Sequence, residues 1–111
     1  SAPSASAFVP IVDLQVTGGI SCGGPLPGRA ETNSQTDHGY VRNNGNVPAV
    51  NVWLGFGGGG GQGRASLAPG QGFAVTRTVP TWGCPFRSTW VHTATSSFDI
   101  NYSNNYFVAR N

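Results

Sequence analysis

Glycine and proline punctuate this chain too closely for a helix of ordinary length. Seventeen glycines and eight prolines fall within 111 residues. Inside a helix, glycine is less favourable than alanine by about 1 kcal/mol and proline by about 3 kcal/mol. No segment of helical length keeps an apolar residue every 3.6 positions. The intervals instead hold short runs of β-branched and aromatic residues bounded by turn formers, the signature of strands. These runs are residues 8–17, 39–43, 50–56, 73–79, 89–95 and 106–109, and a further edge strand fits within 28–36. Together they predict an all-β chain, an immunoglobulin-like antiparallel β-sandwich of six to seven strands. A closed barrel is the rival architecture.

Alternation within the runs assigns faces. In residues 50–56, Val50, Val52, Leu54 and Phe56 share one face, and Asn51 and Trp53 the other. In 73–79 two assignments stay open: Phe73, Val75, Arg77 and Val79 inward, or the set that includes Ala74. In 89–95, Trp90, His92 and Ala94 alternate with Val91, Thr93 and Thr95. Trp90 is expected inward, where its indole N–H needs a partner. The run Gly57 to Gly61, extended by Gly63, has neither the GK[ST] sequence nor the following helix of a phosphate loop. It reads as a flexible connection, and ordering it requires something to pack against it.

Composition excludes several function classes. Only 9% of residues are charged, against about 25% in ordinary domains. All six basic residues are Arg, scattered at positions 29, 42, 64, 77, 87 and 110, and the formal net charge is +2. A nucleic-acid partner is not expected, because no basic run or stripe exists. No apolar run reaches the 18 or so residues of a membrane helix, so no membrane span is expected. The opening SAPSASA reads equally as the start of a mature secreted chain or as a linker. Cys22 and Cys84 have neither redox-motif nor zinc-site spacing, and both sit among turn formers. They are expected to form one disulfide in a secreted, extracellular setting. Two unpaired thiols in a cytosolic protein are the alternative.

Three turn-and-strand signals stand in order along the chain: VRNNGNVPAVNVWLGF from Val41, SLAPGQGFAVTRTV from Ser66, and FDINYSNNYFVARN from Phe98. With Asp13-Leu14 ahead of them, they resemble the CARDB-type domain, an immunoglobulin-like extracellular module. The matching features are the Asp-Leu strand, the N-x-G turn at Asn43-Asn44-Gly45, the L-x-P-G turn at Leu67-Ala68-Pro69-Gly70, and the closing turn from Asn101 to Asn105. The closing turn departs from the family pattern in carrying Tyr102 where Glu is usual. The resemblance implies adhesion, scaffolding or carrier roles beside enzymes, and it brings no catalytic residues.

The residues themselves show no chemistry. The four carboxylates are Asp13, Glu31, Asp37 and Asp99, and no pair is expected to face a cleft as glycoside hydrolysis requires. Asp37-His38 with a serine lacks the G-x-S-x-G elbow of a hydrolase. No catalytic residues, cofactor or metal are expected. Asp99, Asn101, Ser103 and Asn105 alternate as oxygen donors, but one carboxylate is too few for an ordinary calcium loop. His38 and His92 have no ligand spacing. Asn101-Tyr102-Ser103 is a glycosylation sequon at Asn101.

Two functions follow. In the first, residues 1–12 form an arm ahead of a sandwich spanning 13–111. Phe8, Val9, Ile11 and Val12 make that arm apolar on both faces. It would self-associate by adding a strand to a neighbouring sheet, as in a filament or surface layer. In the second, the chain is a secreted binding or adhesion module for carbohydrate or a cell-surface protein. Trp53, Trp82, Trp90, Tyr40, Tyr102 and Tyr106 could then supply a stacking platform, with Trp82 and Tyr102 the leading candidates because both read as loop residues. The competing expectation is that Trp53 and Trp90 pack in or over the sandwich and Trp82 covers the disulfide.

Overall fold

Period-two alternation places Leu14, Val16, Val41, Phe73 and Val75 on one side of three strands, and Val52, Leu54, Phe56 and Val91 on one side of others. Burying those two faces against each other gives the sandwich. The structure, a computed structural model, describes residues 9–84, 88–100 and 104–110. Seven strands form within them: β1 (Leu14–Gly23), β2 (Asn33–Asn43), β3 (Ala49–Phe56), β4 (Gly61–Leu67), β5 (Gly72–Thr81), β6 (Ser88–Ala94) and β7 (Tyr106–Arg110). They make a three-stranded sheet in the order β1-β2-β5 and a four-stranded sheet in the order β4-β3-β6-β7. Every strand pair is antiparallel. Two open sheets mean a sandwich and not a barrel.

The strand boundaries differ from expectation in three places. β1 begins at Leu14, because residues 9–12 run beside two loops. Val12 makes a parallel bridge with Asp99, and the Ile11 carbonyl accepts from Asn46 N. The edge strand expected within 28–36 is instead the front of the eleven-residue β2. β4 follows directly on the glycine run and was not expected, since GQGRAS has no apolar alternation to mark it.

The connection expected to be flexible is a hairpin between β3 and β4. Gly58, Gly59 and Gly60 have φ of 88°, 117° and 88°, conformations that side-chain-bearing residues rarely adopt. What packs against it is Arg77, which settles the face assignment of β5 in favour of Phe73, Val75 and Arg77 inward. Its guanidinium is 2.7 Å from the wholly buried Asp37 carboxylate and donates to the Gly57 and Gly59 carbonyls. It also lies 5.0 Å from the centroid of the Phe56 ring. Gln35 Nε2 donates to the other Asp37 oxygen at 2.5 Å. A desolvated charge is tolerated only when paired and bonded in this way.

Trp90 faces outward and is 55% exposed, whereas Val91 is fully buried. The opposite sheet explains the reversal. Gly18 and Gly39 leave the space that Val91 fills, and a Cβ at either glycine would stand within 2.8 Å of a Val91 methyl. The core there is too thin for an indole. The alternation in β3 also resets once. Asn51 takes a φ of 52°, so Ala49 and Val52 are both buried and Val50 turns outward.

Candidate functional site

The outward faces of β3, β6 and β7 bring three aromatic side chains to one surface. Trp53 is 42% exposed and Tyr106 also 42%. Trp90 meets Tyr106 edge to face at 4.8 Å between ring centroids. Strand register sets the pattern. Trp53 stands opposite Ala94, so Trp90 lies one strand across and four residues along, roughly 13 Å further down the sheet. Gly55 and His92 pair between them, and His92 pairs onward with Tyr106.

Glycine lets Trp53 lie flat on this surface. Trp53 lies over the backbone of its own strand and of β4. A Cβ on Gly55 would come within 2.6 Å of its indole nitrogen, and one on Gly61 within 2.6 Å of its ring edge. Trp90 in turn covers Gly57, whose N–H donates to the Trp90 carbonyl. The glycines beside Trp53 therefore hold its indole close to the sheet. Beside Trp53, a shallow groove is lined by Asn51, Val52, Gly63, Arg64 and Ala65.

The other expected site residues are dispersed. Cys22 and Cys84 form the disulfide, with a Cα–Cα distance of 5.9 Å. Cys22 lies within the end of β1. Trp82 is 66% exposed in the connection beyond β5, next to that bridge. Phe8, Asn101 and Tyr102 lie outside the described residues. Of the remaining arm residues, Val12 is buried in the core, Ile11 is half-buried and Val9 is exposed. Ile11 N donates to Asn46 Oδ1 at 2.7 Å, and Asn46 Nδ2 donates to the Val9 carbonyl at 2.9 Å.

The polar groups do not assemble into a catalytic set among the described residues. Asp37 points into the sandwich and His38 out of it. His38 Nε2 instead pairs with Ser21 Oγ at 2.9 Å on the outer face of the three-stranded sheet. Asp13 and Asp99 lie on neighbouring segments. Asp99 Oδ2 accepts from Leu14 N at 2.9 Å, and Asp13 Oδ1 accepts from Asn104 Nδ2 at 3.1 Å. Both carboxylates tie the start of the first strand to the end of the chain, through Asp99 itself and through Asn104. No group of three or more His, Cys, Asp or Glu among the described residues could hold a metal ion. No helix among them is long and apolar enough to cross a membrane.

Trp53, Trp90 and Tyr106 were among the aromatics expected from the sequence; of the two leading candidates, Trp82 is exposed in the connection beyond β5 and Tyr102 lies outside the described residues. The sequence signal for this face is the glycine content of β3 and its hairpin, which leaves the outward Trp53 indole something flat to lie on.

No family model matches this sequence, and no curated protein matches it. Among solved structures, it is similar to the CARDB domain of the PF1109 protein from Pyrococcus furiosus, determined in complex with di-metal ions. That likeness has a TM-score of 0.54 at 14% identity and covers 99% of this chain and 97% of the other. In fold, this chain is an immunoglobulin-like β-sandwich similar to that CARDB domain.

Proposed function

We propose that this chain is a non-catalytic, extracellular carbohydrate-binding module, with the outer face of β3, β6 and β7 as its contact surface. The observation that carries the reading is the placement of Trp53, Trp90 and Tyr106, all more than 40% exposed, on one sheet face. Exposed aromatic groups are informative when clustered. Outward rings on a rigid sheet, Trp53 lying on its glycines and Trp90 set edge to face with Tyr106, offer apolar faces to sugar rings and lose little entropy on contact. The disulfide supports an oxidising, extracellular setting. The test is retention on a panel of insoluble polysaccharides. Wild type should be retained by at least one polymer, and the Trp53→Ala/Trp90→Ala double variant, still folded by circular dichroism, should pass through. Equal retention of both proteins would refute the assignment of this face.

The second reading is a structural subunit that adds a strand to its neighbour. It is favoured by β1, a ten-residue edge strand without one charged side chain, since edge charges are a common guard against strand pairing. In this reading the donated strand comes from the arm of residues 1–12, of which residues 9–12 are bonded to their own sandwich. Size-exclusion mass at high concentration, with and without residues 1–8, separates the two readings.

A further inference from the structure

The aromatic face carries charge of one sign only, and we infer that its ligand is an acidic polysaccharide, a polymer whose rings bear carboxylates. This rests on the reading of that face as a glycan surface. Trp90 is flanked on its own face by His92, two residues along β6, and by Arg110 on β7, which pairs beside Ser88. Arg110 is exposed and is in neither of the ion pairs found among the described residues. All four carboxylates lie elsewhere. Asp37 and Asp99 are fully buried, Asp13 is bonded to Asn104, and Glu31 pairs with Arg29 at 3.1 Å between β1 and β2.

A neutral polymer would use only the rings of this surface. An acidic one places its sugar faces on Trp53 and on the Trp90–Tyr106 pair while a carboxylate meets Arg110. A guanidinium binds a carboxylate through two parallel hydrogen bonds, stronger than neutral ones. Like-charge repulsion is absent, because no protein carboxylate among the described residues shares the face. An acidic peptide would satisfy Arg110 but has no flat apolar ring faces for the two indoles.

The test is calorimetric titration at pH 7 with soluble polygalacturonate, with the same polymer after reduction of its carboxylates to alcohols, and with polyglutamate. Polygalacturonate should bind roughly ten-fold more tightly than the reduced polymer, as expected for one charge-assisted contact. Trp90→Ala and Tyr106→Ala should each weaken binding, Arg110→Gln should remove most of the preference for the acidic polymer, and Tyr40→Ala on the opposite sheet should change nothing. Equal binding of the two polysaccharides would overturn the charge assignment and leave the glycan reading standing. Polyglutamate binding as tightly as polygalacturonate, or no effect of the aromatic variants, would overturn the inference in favour of plain charge attraction. Failure of every polysaccharide, neutral ones included, would overturn the glycan reading as well.

Discussion

The side-chain amide of Asn43 donates to the carbonyl of Leu67 at 3.0 Å, tying together two turns 24 residues apart in sequence. The same amide donates to Val47 O at 2.8 Å, and its oxygen accepts from Gly45 N at 2.9 Å. The Asn43 backbone completes the link, taking Gly70 N at 2.7 Å and giving its own N–H to Gln71 O at 3.0 Å. The N-x-G and L-x-P-G turns are therefore one structural unit, and this accounts for their joint presence in the chain.

Replacing Asn43 should show how much that unit contributes. The residue is fully buried, and truncation leaves its partners without bonds in the interior. Asn43→Ala should destabilise the domain by on the order of 3 kcal/mol, given about 1–3 kcal/mol for each buried group left unpaired. Asn43→Asp should be similarly damaging, because a carboxylate cannot donate to Leu67 or Val47. Urea denaturation measures both.

The Arg77–Asp37 pair makes a different prediction. Arg77→Ala strands a buried carboxylate and should lower stability by about 3–5 kcal/mol. It also removes the guanidinium that holds Gly57 and Gly59, so amide exchange in the β3–β4 hairpin should speed up more than elsewhere. The double variant Arg77→Met/Asp37→Leu should recover part of the loss, a non-additivity that a double-mutant cycle reads directly.

Gly39 is limited by Val91. A methyl group at Gly39 would lie 2.8 Å from Val91 Cγ1, with the next contacts at 3.4 Å. Gly39→Ala should therefore destabilise by about 1–3 kcal/mol. Adding Val91→Ala should produce less loss than the sum of the two single changes. Simple additivity in thermal melts would mean that the two side chains do not compete for that space.

Removing the disulfide by Cys22→Ser/Cys84→Ser should lower stability by about 4 kcal/mol under the chain-entropy model for a long loop. The bridge spans 62 residues and joins β1 to the connection after β5. Guanidinium titration of the two forms provides the comparison.

Much of this fold is legible in the sequence, for reasons that also mark where legibility stops. Val52, Leu54 and Phe56 alternate with no competing apolar set, so their inward face is unambiguous. Residues 89–95 offer two plausible faces, and the choice was made by Gly18 and Gly39 on the opposite sheet, far away in sequence. β4 has no alternation at all and exists because β3 pairs with it. Arg77 looked ambiguous because its partner, Asp37, sits 40 residues upstream. The aromatic face was half visible. Its aromatic residues were countable, but their common orientation depends on strand register, which no local pattern encodes.

The indole N–H signals of the three tryptophans, one each from Trp53, Trp82 and Trp90, test the central claim most directly. In a proton–nitrogen correlation spectrum, titration with a polysaccharide ligand should shift the Trp53 and Trp90 signals together and leave Trp82, beside the disulfide, in place. A titration that shifts Trp82 alone, or that perturbs the outer face of β1, β2 and β5 while Trp53 and Trp90 stay fixed, would contradict the account.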